Sequence, residues 1–353
     1  MADVLGVGVT HYPGLKYPDP HMVNILRQIL ESPALRPELR EMGNWPEPMR
    51  LEWGEDAGVK SAELHRQRLL NGFRTVRTAI DRFHPDFILI WGDDQYENFH
   101  EDVIPPFCIY LYDEIATQPF LHGSAITRGR SMVNAIPNVW GEPVDKTWTT
   151  RGHREAGEYL VERLIQGGID VAYAYKPLHH QGLSHAFINT LLYLDYDRKG
   201  FNYPLLPFAV NCYGKDLLRG GLTGTMEGRF KAAPPGPTPQ RCFDIGALVR
   251  RILEASPWRV VIIGSSSWSH AFLTGINGWI YPDIETDRMR YGDLKQGRQD
   301  NWKNLSSAEV EAAGEHEFRN WICLAGAMAD RKAKFLDYVE TYIFNSNKCF
   351  AIF

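Results

Sequence analysis

Four short apolar runs constrain the fold of this chain more than any other feature. They are Val4–Val9, Phe87–Trp91, "YPLLPFAVNCY" at 203–213 and "WRVVIIG" at 258–264. Each is strand-sized and apolar through its centre, without the alternation of a strand that has one face in water. Such strands are covered on both faces, the pattern of a sheet buried between helices. Helical patterns stand between them. Leu69, Phe73, Val76, Ile80 and Phe83 share one face behind Ser61, a possible cap, and the run stops before Pro85. Further helices are expected at about 155–166, closing on Gly167-Gly168, in "GLSHAFINTLLYL" (182–194), and in "RCFDIGALVRRILEA" (241–255). Additional strands fall at 104–111 and in "IDVAYAY" (169–175). The expectation is an α/β fold, a central mixed β-sheet with helices on both faces. It is read as a single catalytic domain over 1–353, with insertions near 12–60, 214–238 and 276–312.

Composition narrows the class. The chain has 353 residues, 44% hydrophobic and 23% charged, with a formal charge of −5. That balance lacks the basic surplus of a nucleic-acid binder. The apolar stretches are too short to cross a membrane. "MADVLGVGVTHYPG" has no charged segment followed by an apolar core and a cleavage site, so secretion is not expected. Cys108, Cys212, Cys242, Cys323 and Cys349 are odd in number, widely spaced and free of a CxxC pair, as for reduced thiols in a cytoplasm.

Chemistry is expected where strands end. "FILIWGDDQYENFHED" (87–102) turns abruptly from apolar to polar, and "GVTH" and "GSSSWSH" end two other strands at His11 and His270. In open α/β sheets such ends converge on one edge. Two neutral donors and a carboxylate on one face, with open positions, would suit Fe(II). His11 is a natural donor, and Glu317 opens an apolar helix, where the dipole favours a carboxylate. Taken singly, each has a plainer reading, His11 as a hydrogen-bonded structural residue and Glu317 as a helix-start acid. Glu315 competes with Glu317. "GSSSWSH" lacks the G-x-S-x-G elbow of a serine hydrolase, and the early "GVG" lacks the third glycine and helix of a dinucleotide site.

Taken in order, these features resemble the class III extradiol ring-cleavage dioxygenases, typified by the β-subunit of protocatechuate 4,5-dioxygenase. The matching pieces are His11, "IPPF" after the acidic turn, Gly152-His153, "NCY" followed by "PTPQRCFDIG", "IIGSSSWSH", "EFRNWICLAGA" and "SNKCFAI". They run along nearly the whole chain. The resemblance implies a non-haem Fe(II) held by two His and one Glu, and cleavage of a catechol-type ring by O2. By position, His11 and Glu317 become iron ligands and His270 the acid/base residue.

The chain departs from the family in two places. Where the family reads Asn-Asp-His, this chain has Asp93-Asp94-Gln95, so Gln95 falls on the second metal ligand. An amide oxygen is a weaker donor than imidazole, and Glu97 and His100 stand nearby as substitutes. The family's Asp-His-Gly appears as His179-His180-Gln181-Gly182. Either Gln181 or, after a one-residue slip, His180 takes that His, with His180 then grouped with His270 in catalysis. Gln181, His185 and Asp94 are the expected substrate contacts. Two alternatives stay open: an altered metal site running another metal-dependent reaction, and a non-catalytic subunit of a dioxygenase complex. The partners expected are a small aromatic substrate and O2, neither nucleic acid nor membrane, and further copies of the chain in a homo-oligomer or a small companion subunit.

Overall fold

The structure, a computed structural model, describes residues 2–100, 102–121, 136–179, 182–213 and 234–353. His180, Gln181 and most of the expected 214–238 insertion lie outside the described residues. The strands are β1 (Val4–Val9), β2 (Phe87–Asp93), β3 (Phe107–Tyr110), β4 (Glu114–Thr117), β5 (Trp148–Arg151), β6 (Ala172–Ala174), β7 (Leu205–Val210), β8 (Val260–Ser265), β9 (Phe335–Val339) and β10 (Lys348–Ile352). Eight form one mixed sheet in the order β6-β3-β7-β2-β8-β1-β10-β9, and β4 pairs with β5 separately.

The four apolar runs of the sequence are the four central strands. β7, β2, β8 and β1 are mutually parallel, and every residue of β2, β7 and β8 is buried. Antiparallel pairing begins only outside them, at β3 against β7 and β10 against β1. Parallel strands share a direction, so the C-terminal ends of all four open on the same edge.

The helices are α1 (Asn24–Glu31), α2 (Glu47–Trp53), α3 (Val59–Phe83), α4 (Arg154–Gln166), α5 (His185–Leu194), α6 (Pro239–Glu254), α7 (Ile284–Gln296), α8 (Ser307–Ala312) and α9 (Arg319–Ala327). α3 and α5 cover one face, α4, α6 and α9 the other. Glycines mark where helices approach the sheet: a Cβ on Gly8 would enter the Trp321 ring of α9, and one on Gly92 would press on Ala186 of α5 at 3.1 Å. The expected cap at Ser61 is corrected. α3 starts three residues earlier, at Val59 after Gly58 at φ 84°, a left-handed turn that glycine takes without strain. The expected strand at 104–111 shortens to β3, because Pro105 and Pro106 lack the N–H groups that ladder pairing needs. The 12–60 stretch is short helices and turns, as its prolines imply.

Candidate metal centre

Polar side chains from the shared edge converge behind β1, β2 and β8. His11 follows β1, Asp93 ends β2 with Gln95 two residues on, Tyr213 follows β7, and Ser265 ends β8 with His270 beyond it. His185 opens α5, and Glu317 sits in the single 3-10 turn (His316–Phe318) ahead of α9. Pro13, Ile25, Phe272 and Asn345 join His11, Gln95, His185, Ser267, His270 and Glu317 around a narrow cleft.

Each of three imidazoles is held through Nδ1. His11 Nδ1 meets the Ser265 carbonyl at 3.1 Å and its Oγ at 3.2 Å. His270 Nδ1 meets the Trp268 carbonyl at 2.8 Å, and His185 Nδ1 the Glu97 carboxylate at 2.9 Å. An imidazole that donates Nδ1–H in this way presents Nε2 as its open donor atom, the arrangement of metal-bound histidines. His11 Nε2 lies 3.4 Å from both Asp93 Oδ1 and Glu317 Oε2, and His270 Nε2 lies 3.4 Å from the same Glu317 oxygen. A donor atom from each of His11, Asp93 and His185 falls within 4.8 Å of the other two. The rings of His11 and His185 meet edge to face, with centroids 5.0 Å apart.

The two carboxylates are divided in their duties. Glu317 Oε1 accepts from Tyr213 Oη–H and from the Gln95 amide at 3.0 Å. Glu317 Oε2, Asp93 Oδ2 and Gln95 Oε1 are buried and make no hydrogen bond among the described residues. Buried polar oxygens without donors are costly. A bound cation offsets that cost, so the donor set fits a divalent metal.

Electrostatics agree. Burial opposes ionisation of Glu317, yet His270, His11 and Tyr213 hold it well below the usual carboxylate range. Burial, reinforced by Glu317, pushes Asp93 up to about 6. Burial holds His270 below the ordinary histidine value, which leaves it a neutral base at pH 7. Burial also pulls on His185, but Glu97, Asp93 and Glu317 outweigh it and raise this imidazole to about 9.

The expected site residues are therefore mostly together, with changed duties. His11, Gln95, His185, His270 and Glu317 all line the cleft. Gln95, expected as the second ligand, turns its amide nitrogen to Glu317 and to Tyr213, 3.0 Å away. Asp94, expected to contact substrate, instead caps its own turn, accepting from the backbone N–H of Glu97 at 2.9 Å, Asn98 at 3.0 Å and Phe99 at 3.3 Å. The short turn after β2 leaves these N–H groups without ladder partners, and Asp94 is the nearest acceptor. Glu315 is spent on Arg290, 3.2 Å away. His100 meets the Tyr96 carbonyl at 3.1 Å and stacks on His179, outside the cleft lining. Asp93 and Tyr213 were missed. Both sit at ends of buried parallel strands, the same signal that marked His11.

The chain is similar to known proteins over part of its length. Residues 230–351 match the family described as the catalytic LigB subunit of aromatic ring-opening dioxygenase. A 2,3-dihydroxyphenylpropionate/2,3-dihydroxicinnamic acid 1,2-dioxygenase of Pseudomonas putida is 26% identical over 198 residues, 56% of this chain and 47% of that protein. Its counterpart in Photorhabdus laumondii is 22% identical over 213 residues, 60% of this chain and 52% of that protein. The chain thus spans about half the length of the curated relatives it matches. An uncharacterized Escherichia coli K12 protein overlays 80% of this chain, and 91% of that one, with a TM-score of 0.45 and 9% identity.

Proposed function

We propose that this chain, which carries a domain of the LigB aromatic ring-opening dioxygenase family, is an Fe(II)-dependent extradiol dioxygenase. It opens a catechol-type ring, dihydroxy or aminohydroxy, beside the hydroxyl-bearing carbons, and both atoms of O2 enter the product. The observation that carries this reading is the meeting of His11 Nε2 and Glu317 Oε2 at 3.4 Å, with His270 Nε2 on the same carboxylate oxygen.

His11 and Glu317 hold the metal in this reading. Fe(II), when bound there, supplies a centre where both substrate oxygens and O2 can be brought together. His270 has its Nδ1 fixed by the Trp268 carbonyl and its Nε2 directed into the cleft, so it accepts the proton of a substrate hydroxyl. Its lowered affinity for protons keeps Nε2 unprotonated at pH 7 until substrate arrives. Tyr213 and Gln95 fix the rotation of Glu317 by donating to Oε1, which directs Oε2 at the histidines. Ile25, Pro13 and Phe272 give the cleft an apolar side that suits a flat aromatic ring. The relatives' names point to catechols with a short carboxylated side chain, and those are the first substrates to try. The reading includes a cytoplasmic enzyme, in keeping with five buried free thiols, working as a homo-oligomer.

Anaerobic iron loading followed by oxygen uptake with a panel of catechols tests the proposal. Wild type should hold one iron per chain and form a coloured ring-fission product. His270→Ala should keep its iron and lose most turnover, whereas Glu317→Ala should lose the iron. Equal turnover in wild type and His270→Ala would sink the assignment.

A further inference from the structure

We propose that His185, held by Glu97, is the second imidazole ligand of the metal centre, and that Gln95 positions Glu317 rather than binding metal. This rests on the metal-centre reading above, and adds which residue fills the place where the family's histidine is absent.

Three observations carry it. First, His185 Nδ1 meets Glu97 Oε2 at 2.9 Å, and the backbone N–H of His185 donates to Glu97 Oε1 at 3.0 Å. One carboxylate thus grips both the ring and the main chain of the first residue of α5. A metal-binding histidine with its far nitrogen on a carboxylate is the common outer-shell arrangement, and it orients the ring. Second, His185 offers a donor within 4.8 Å of donors from His11 and Asp93, so two imidazoles and a carboxylate already share one ion-sized space. Third, Gln95 is anchored through its amide nitrogen, and its buried Oε1, without a hydrogen bond among the described residues, is the weaker amide donor that competes with the His185 imidazole. The Gln95 amide nitrogen donates to Glu317 Oε1 and Tyr213 Oη, both at 3.0 Å. A protonated amide nitrogen is no ligand, and its bond to Oε1 leaves Oε2 as the metal-facing atom.

The chemistry explains the exchange. A site that loses an imidazole from the end of β2 loses a strong Fe(II) donor. His185 restores one from the opposite wall, because α5 packs against β2 where Gly92 has no side chain and Ala186 and Phe187 come close. Glu97, in the turn after β2, then acts on the neighbouring helix as a positioning residue.

Co(II) binding to the full chain, followed anaerobically by visible absorption, tests this without turnover. Pulsed electron paramagnetic resonance of the Cu(II)-loaded protein counts coordinated imidazoles. Wild type should take up one Co(II) and show two imidazoles. His185→Ala should bind Co(II) at least ~100-fold more weakly and show one imidazole, with added free imidazole restoring the cobalt bands. Glu97→Gln should bind roughly 10- to 100-fold more weakly while keeping two imidazoles. Gln95→Ala should bind Co(II) no more than about tenfold more weakly, the scale of a lost outer-shell partner, and a loss as large as that of His185→Ala would make Gln95 a ligand and overturn its positioning role. Metal-free circular dichroism of each variant separates lost ligation from lost folding, and if His185→Ala does not fold, the cobalt affinity of Glu97→Gln decides: a fall supports the inference and wild-type affinity overturns it. Wild-type affinity and two imidazoles in His185→Ala overturn the inference alone, provided His11→Ala still loses metal. A wild-type chain that takes up no divalent metal, or a His11→Ala variant that binds as wild type does, overturns the metal-centre reading as well.

Discussion

At the scale of single residues, the centre depends on hydrogen bonds that decide which atom of each ligand faces inward. Tyr213 is the clearest instance. Its hydroxyl donates to Glu317 Oε1 and accepts from Gln95, so it fixes the carboxylate through the oxygen that faces away from the histidines. Tyr213→Phe should keep the fold, because the ring still stacks on His316 at 5.7 Å between centroids. Metal affinity should fall about tenfold, the scale of a lost outer-shell partner, and Co(II) titration reads it directly. His65 sets a different kind of limit. It is buried between Tyr12 and Phe344, and burial, with Lys348, Arg68 and Arg66 nearby, holds it neutral far below the ordinary histidine range. The unfolded chain protonates His65 below about pH 6.5 and the folded chain does not, so stability is full above that pH and declines as pH falls. The slope from this group approaches ~1.4 kcal/mol per pH unit. His65→Phe should flatten the dependence of the denaturation midpoint between pH 6.5 and 5. An unchanged slope would show that other groups set it.

At the scale of elements, helices α6 and α9 approach through their glycines. A Cβ on Gly246 would lie against the Cys323 carbonyl, and one on Gly326 against the Phe243 carbonyl, backbone atoms that cannot swing aside. The turn of Glu317 precedes α9, so this contact also sets the depth of the proposed ligand. Gly246→Ala or Gly326→Ala should destabilise the fold by roughly 1–3 kcal/mol through overpacking, read as a lower urea midpoint, and should weaken metal binding in parallel. A variant with the wild-type midpoint would show that the helices part without cost. Elements of this kind were legible to different degrees. β1, β2, β7 and β8 were read correctly because continuous apolar runs have one explanation, burial on both faces. α6 was legible from its spacing, though it starts at Pro239, two residues before the expected Arg241, behind the Thr238 cap, whose hydroxyl accepts from Arg241 N–H at 3.2 Å. The start of α3 was misread because Ser61 looked like a cap, while the real signal was Gly58 and its left-handed φ. His11, His270 and Glu317 were legible from strand ends and family resemblance. The bond from Glu97 to His185 was not, because it joins residues 88 positions apart whose approach depends on how α5 packs on β2.

At the scale of the whole molecule, the sheet brings together residues from positions 11 to 317, and it sets Asp93 and Glu317 close together in a dry place, their charges only partly offset by the His185 imidazole, which the surrounding carboxylates raise to about 9. Asp93 and Glu317 both approach His11 Nε2 at 3.4 Å, and each keeps one buried oxygen without a hydrogen bond. In the proposed reading the site is therefore a local loss of stability that a divalent ion would reverse. Ion binding to the folded state alone adds RT ln(1 + [L]/Kd), about 4 kcal/mol at a thousandfold excess over Kd. Thermal unfolding of wild type should thus rise by several degrees when Co(II) is added anaerobically and return on chelation. Asp93→Asn removes one of the paired charges, keeps nearly the same shape, and leaves Asn320 a partner in place of the carboxylate it contacts at 3.4 Å. The metal-free variant should then melt above metal-free wild type, while its cobalt-induced rise shrinks or disappears. A metal-free variant melting below wild type would mean that Asp93 serves the fold through Asn320 and His11, and an undiminished cobalt-induced rise would mean that it contributes nothing to ion binding.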